Sequence, residues 1–152
     1  MKRLLPLTIL LLVACSPVRH EGPPLAGSPA ARSVASYAES LLGTPYRYGG
    51  SSPDTGFDCS GFVDHVYRHS LGIKLPHSSH KISRFGRFVS MQELRTGDLV
   101  FFDTQHSKYS HVGIYLGGDR FIHAPSSGGR VRTENIRDRY WKTRYDGARR
   151  VI

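Results

Sequence analysis

The chain has 152 residues and carries 21 Lys and Arg against 12 Asp and Glu, a formal charge of +9. That length supports one hydrophobic core and not two. The basic balance suits an anionic polymer or a plain solvated surface. No nucleic-acid-binding module accompanies the charge, so nucleic acid is not an expected partner.

The chain opens with a short basic stretch, Lys2 and Arg3, followed by an apolar run from Leu4 to Val13 broken only by Pro6 and Thr8. The run is too short to span a bilayer and fits a signal-peptide core. It ends Leu12-Val13-Ala14-Cys15, which resembles the lipobox of bacterial lipoproteins. That resemblance implies a signal peptide over residues 1–14 and lipidation of Cys15, which becomes the first mature residue and anchors the chain to a membrane. More than one acyl chain makes such attachment stable. Ser16, where an Asp would imply inner-membrane retention, leans towards the periplasmic side of the outer membrane. Residues 15–30 are rich in Pro, Ala, Gly and Ser and read as an extended tether, with a reach on the order of 50 Å.

The domain expected over 31–152 begins with a helical pattern at 31–43, where Val34, Tyr37, Ala38, Leu41 and Leu42 share a face and Gly43 ends the helix. A Gly- and Pro-rich loop follows. A second helix is expected over 59–71, with Phe62, Val63, Val66 and Tyr67 as its apolar stripe. Asp64, His65, Arg68 and His69 fall opposite, and Gly72 is the stop. A short helix is expected between Ser78 and Arg84. From there the pattern turns to strands: Asp98–Asp103, His111–Leu116 and Arg120–Ala124, with Gly117-Gly118-Asp119 as a hairpin turn. Val131 and the tail Ala148–Ile152 are further strand candidates. Helices first and an antiparallel meander after argue an α+β fold, with the helices on one face of a small sheet.

Cys59, in Phe57-Asp58-Cys59-Ser60-Gly61-Phe62, has no partner once Cys15 is assigned to lipidation. An unpaired thiol in an exported chain needs a use. Its place at a helix N-terminus predicts an acidified thiol, because the free N–H groups and the helix dipole favour a thiolate. A cysteine nucleophile needs a base, and the base needs an orienting group. Among the eight histidines, His111 and His123 stand out because they lie on the two arms of one hairpin. A two-residue turn at Gly117-Gly118 would put them on opposite faces. A three- or five-residue loop centred on Gly117 pairs 111 with 123 on one face, and this is the expected register. Core and surface histidines that merely share a hairpin remain the alternative.

The segments GTPYRYGG, FDCSGFV, LRTGDLVFF, SHVGIYLGGDRFIHA and YWKTRYDGARRVI resemble, in order, the NlpC family of bacterial cell-wall cysteine peptidases. The resemblance runs from about residue 38 to the end. It implies a papain-like α+β fold, Cys59 as nucleophile, His111 as general base and His123 as the residue that orients the base. Tyr46 matches a tyrosine beside the family's active site, where it helps hold an oxyanion or substrate, or packs the loop. Asp58 matches a residue supporting the catalytic loop, in keeping with a helix cap. The implied activity is hydrolysis of peptidoglycan stem peptides, at the D-alanine–diaminopimelate cross-link or between D-glutamate and diaminopimelate, with the cross-link favoured. The resting state expected is a thiolate–imidazolium pair. A monomer without cofactor or metal is expected.

Three rivals stand beside this. An acyltransferase or amidase would use the same thiol and imidazole with another acceptor. A wall-binding lipoprotein would carry a vestigial cysteine. A zinc site could use His65 and His69, four apart on a helix, although no third ligand stands out.

Overall fold

The computed structural model describes residues 27–126 and 129–152. The expected signal peptide, Cys15 and all but the last few tether residues lie outside that range.

Helix α1 (Pro29–Ser40) starts where Ser28 accepts the Ala31 N–H at 3.1 Å, with Pro29 in the first turn. Both residues are what a helix start requires. It begins two residues before the expected span and ends before Gly43, because Leu41 already leaves the helix. Gly43 takes φ +84° in the turn that follows. Helix α2 (Cys59–Leu71) matches its expected span. Asp58 caps its start and Gly72 ends it in the left-handed conformation. The expected stripe Phe62, Val63, Val66 and Tyr67 is fully buried, each side chain contributing about 1.5–3 kcal/mol. The face opposite is less exposed than expected. Asp64 is also buried, holding the Leu75 N–H at 2.8 Å and pairing with Arg68. Helix α3 (Ser79–Ile82) is a single turn inside its expected span.

The loop between α1 and α2 contains a two-stranded hairpin, β1 (Ser51–Ser52) and β2 (Gly56–Phe57). The main sheet comprises β3 (Arg87–Val89), β4 (Leu99–Phe102), β5 (His111–Gly117), β6 (Arg120–His123), β7 (Arg132–Asn135) and β8 (Tyr145–Arg150), in the antiparallel order β3-β8-β4-β5-β6-β7. Strand β8 lies inside the sheet although Tyr-Asp-Gly-Ala-Arg-Arg reads poorly as a strand. Its two neighbours supply the backbone ladder, and Ala148 is buried in the core. A bidentate pair, Arg150 to buried Asp98 at 2.7 Å for both bonds, ties its end to the start of β4.

The sheet has two packed faces. Phe101, Val112, Ile114, Leu116, Ile122 and Ala124 meet α1 and α2, as expected. Val100, Phe102, Tyr115 and Phe121 pack on the other face against Trp141 of a short helix, α4 (Arg139–Lys142), which the sequence pattern did not suggest.

The hairpin register differs from the expected one. Gly118 and Asp119, both at positive φ, form a two-residue turn that pairs Gly117 with Arg120. A β-bulge at Leu116 then shifts the pairing to Tyr115 with Phe121 and Ile114 with Ile122. Continued one residue further, this register sets His123 opposite Gly113, not opposite His111. The extra residue restores the parity that a two-residue turn alone would lose, so both histidines still share one face.

Candidate active site

Cys59 is the first residue of α2 and keeps partial solvent contact. Asp58 fixes that helix start from both carboxylate oxygens. Oδ1 accepts the Gly61 N–H at 2.7 Å, and Oδ2 accepts the Gly49 N–H at 3.1 Å. His77 Nε2 also lies 2.8 Å from Asp58 Oδ1, a partner that the sequence order left in a connecting segment. Tyr46 stands alongside, its backbone bridged to Phe57. Burial raises its hydroxyl pKa, and the negative charge of Asp58 adds to the rise.

His111 opens β5 and His123 closes β6. Both are buried. His111 Nε2 lies 2.7 Å from His123 Nδ1, with the rings perpendicular. Gly113, opposite His123, makes this diagonal contact possible. A Cβ there would sit 2.9 Å from the Ile122 carbonyl oxygen and 3.2 Å from His123 Cβ. Trp141 stacks on His111 and meets His123 edge-on, centroids 5.7 and 5.0 Å away. A fourth residue joins the line: His123 Nε2 is 2.5 Å from Glu134 Oε2. No motif in the sequence singled out Glu134, since an acidic residue on a weak strand candidate carries no local signal. A cavity of about 400 Å³ opens beside His111, lined also by Glu134, Arg132, Tyr140 and Trp141.

The thiol and the imidazole flank one backbone segment. The N–H of Val112, the residue after His111, favours the Cys59 thiolate, as do the N–H groups of Cys59 and Ser60. The helix start thus acts in the expected direction, but burial outweighs it. The thiol is pushed up to about 11, and the negative Asp58 adds to the rise. Burial likewise pushes His111 down to about 3 and lowers His123. Burial therefore acts against the acidified thiol expected from the helix position and against the expected resting thiolate–imidazolium pair, and favours a neutral thiol and a neutral imidazole. Desolvation penalises both charges more than a helix terminus rewards one. No direct hydrogen bond joins Cys59 to His111 among the described residues. Such contacts often tighten only with substrate bound.

His65, His69 and His80 are engaged elsewhere. His65 Nε2 is 2.9 Å from the Tyr37 hydroxyl, and His69 stacks on the same ring at 4.0 Å. His80 faces the Lys108 carbonyl.

A neutral, buried His111 has a consequence for stability. Its folded pKa lies below the 6.5 of a free imidazole. The stability it represents is complete above about pH 6.5 and is lost as pH falls from there towards about 3. In melts between pH 7.5 and 4 the wild type should lose stability steadily. His111→Gln should remove up to one proton from that dependence, about 1.4 kcal/mol per pH unit. An equal slope in both proteins would show that the imidazole is not held neutral. Glu134, depressed to about 2, loses its contribution mostly below this window.

Fold and site together define a papain-like α+β domain with a thiol at a helix start and a histidine pair on the sheet. The NlpC/P60 family profile matches residues 43–150, and the chain belongs to that family. It is 46% identical over 121 residues to the murein DD-endopeptidase MepS/murein LD-carboxypeptidase of Escherichia coli K12, covering 80% of this chain and 62% of that protein. It is 42% identical over 114 residues to the murein DD-endopeptidase MepH of the same organism, covering 73% of this chain and 42% of that one. The chain therefore spans less than two thirds of either relative. A crystal structure of an NlpC/P60 family protein from Bacillus cereus superposes with a TM-score of 0.74 at 37% identity, covering 82% of this chain and 41% of that one.

Proposed function

We propose that this protein is a peptidoglycan hydrolase, a cysteine endopeptidase that cuts the D-alanine–diaminopimelate cross-link between stem peptides. The observation that carries this reading is the linked His111–His123 pair, whose β5 backbone meets Cys59 at the start of α2. It sits in a chain similar to two murein DD-endopeptidases.

His111 takes the Cys59 proton as Sγ attacks the carbonyl carbon, since neither group is charged beforehand. The new C–S bond leaves an oxyanion, which backbone N–H groups at the helix start, that of Cys59 among them, can stabilise. Tyr46, bridged through its backbone to Phe57, is assigned to assist there or to hold the substrate. The C–N bond then breaks, the leaving amine takes the proton from His111, and a thioester remains. Water, deprotonated by His111, releases the acid and restores the thiol. His123 holds the His111 ring throughout. Delivery to the envelope, lipidation at Cys15 and the tether of residues 15–30 belong to the same proposal: a domain over 31–152, anchored to the outer membrane and facing the wall.

The test is a digest of cross-linked and monomeric diaminopimelate muropeptides, read by mass spectrometry. Conversion of dimers to monomers is expected. Trimming of monomers between D-glutamate and diaminopimelate would move the scissile bond. No change with folded protein would overturn the assignment.

A further inference from the structure

His111, His123 and Glu134 lie on one oblique line across three strands. Strand pairing sets His123 opposite Arg132 and Phe121 opposite Glu134, while His123 stands level with Gly113. Each member is thus displaced by two residues from the one before, first from β5 to β6 and then from β6 to β7. Such diagonal neighbours are within reach of long side chains, and the 2.7 and 2.5 Å contacts close both gaps. We propose that Glu134 is a positioning residue that sets the tautomers of both histidines and so leaves His111 Nδ1 as the free base. The proposal rests on the catalytic reading of Cys59 and His111 given above.

An ionised carboxylate can only accept hydrogen bonds. The His123 contact and Arg132 Nε, 3.3 Å from Glu134 Oε2, hold its pKa down to about 2, so it is ionised. His123 Nε2 must therefore carry the hydrogen that it shares with Glu134. Burial keeps His123 neutral despite that carboxylate, so its Nδ1 bears a lone pair. The 2.7 Å contact then requires an N–H on His111 Nε2. A neutral His111 has no second hydrogen, and its Nδ1 is left as the proton acceptor. Without a fixed acceptor at the far end, the pair can adopt the reverse arrangement, in which His111 Nδ1 is protonated and cannot act as base. The titratable groups acting on His111 are His123 from β6 and Glu134 and Arg132 from β7. Among the described residues its packing partners from β4 and α4 are Phe102 and Trp141.

Two measurements test this. Ring-nitrogen NMR of the wild-type protein at pH 7 should show both His111 and His123 as Nε2–H tautomers. Glu134→Gln keeps shape but can donate or accept, so it should mix the His123 tautomers. It should lower kcat by about 10- to 100-fold, the scale of an outer partner that orients a reacting ring, and leave KM within about twofold. A merely structural glutamate would leave ring tautomers and the split between kcat and KM unmoved. A wild-type His123 protonated on Nδ1, or a Glu134→Gln variant with wild-type kcat, overturns the proposal. The NMR result needs no turnover. If the wild type cleaves no muropeptide, the proposed function fails on its own, while the tautomers still decide the role of Glu134.

Discussion

Cys59→Ala should abolish muropeptide cleavage while leaving the fold intact. Removing a nucleophile that acts with its base as a unit lowers kcat by roughly 10⁴- to 10⁶-fold, since what remains comes from binding and oxyanion contacts alone. The thiol also makes no hydrogen bond to His111 among the described residues, so its loss breaks no network. Cys59 keeps some solvent contact, and the stability change should stay within about 1 kcal/mol. Product analysis and a thermal melt on the same preparation check both halves. A variant that still converts dimers to monomers would remove Cys59 from the mechanism.

Gly61→Ala should be nearly as damaging, for a different reason. Gly61 lies in the first turn of α2, where local propensity favours alanine by about 1 kcal/mol. The surroundings decide otherwise. A Cβ at Gly61 would overlap the carbonyl oxygen of Gly50, and that oxygen accepts the Asp58 N–H at 3.0 Å. The obstacle is backbone on both sides, so no side chain can rotate away. Either α2 or the loop must move, and Cys59 moves with them. The expected result is a loss of about 2–4 kcal/mol of stability and roughly 100-fold in kcat/KM, the scale of an ångström's displacement at a reacting group. Denaturant unfolding and the muropeptide assay measure the two. A variant as stable as wild type would show that the helix start and the glycine loop are not locked together.

These two substitutions mark how much of the site was legible. Asp58, Cys59 and Gly61 are neighbours in the chain. A helix cap works through bonds to residues three positions on, so the start of α2, its stop at Gly72 and the place of the thiol at the helix start could be read from a dozen letters. The ordered segments from GTPYRYGG to YWKTRYDGARRVI carried the family and, with it, the α+β fold. Strands β3 and β7, helix α4 and the length of β8 were not legible, because polar and charged residues occupy positions whose strand character comes from the neighbours they pair with.

A lone thiol at a capped helix start and two histidines on one hairpin, the residues proposed for the chemistry, can be picked out from their order in the chain. How they stand to one another follows from the folded sheet. The bulge at Leu116 sets the parity of the hairpin, and Gly113 clears the diagonal between the histidines. The pairing of β6 with β7 brings Glu134 to the end of the line, eleven residues from His123. Burial reverses the ionisation that the helix start alone would suggest. Caps and turns are settled by atoms a few bonds apart. Cross-strand register and desolvation are sums over segments that meet only when the chain is folded, and no local pattern contains them.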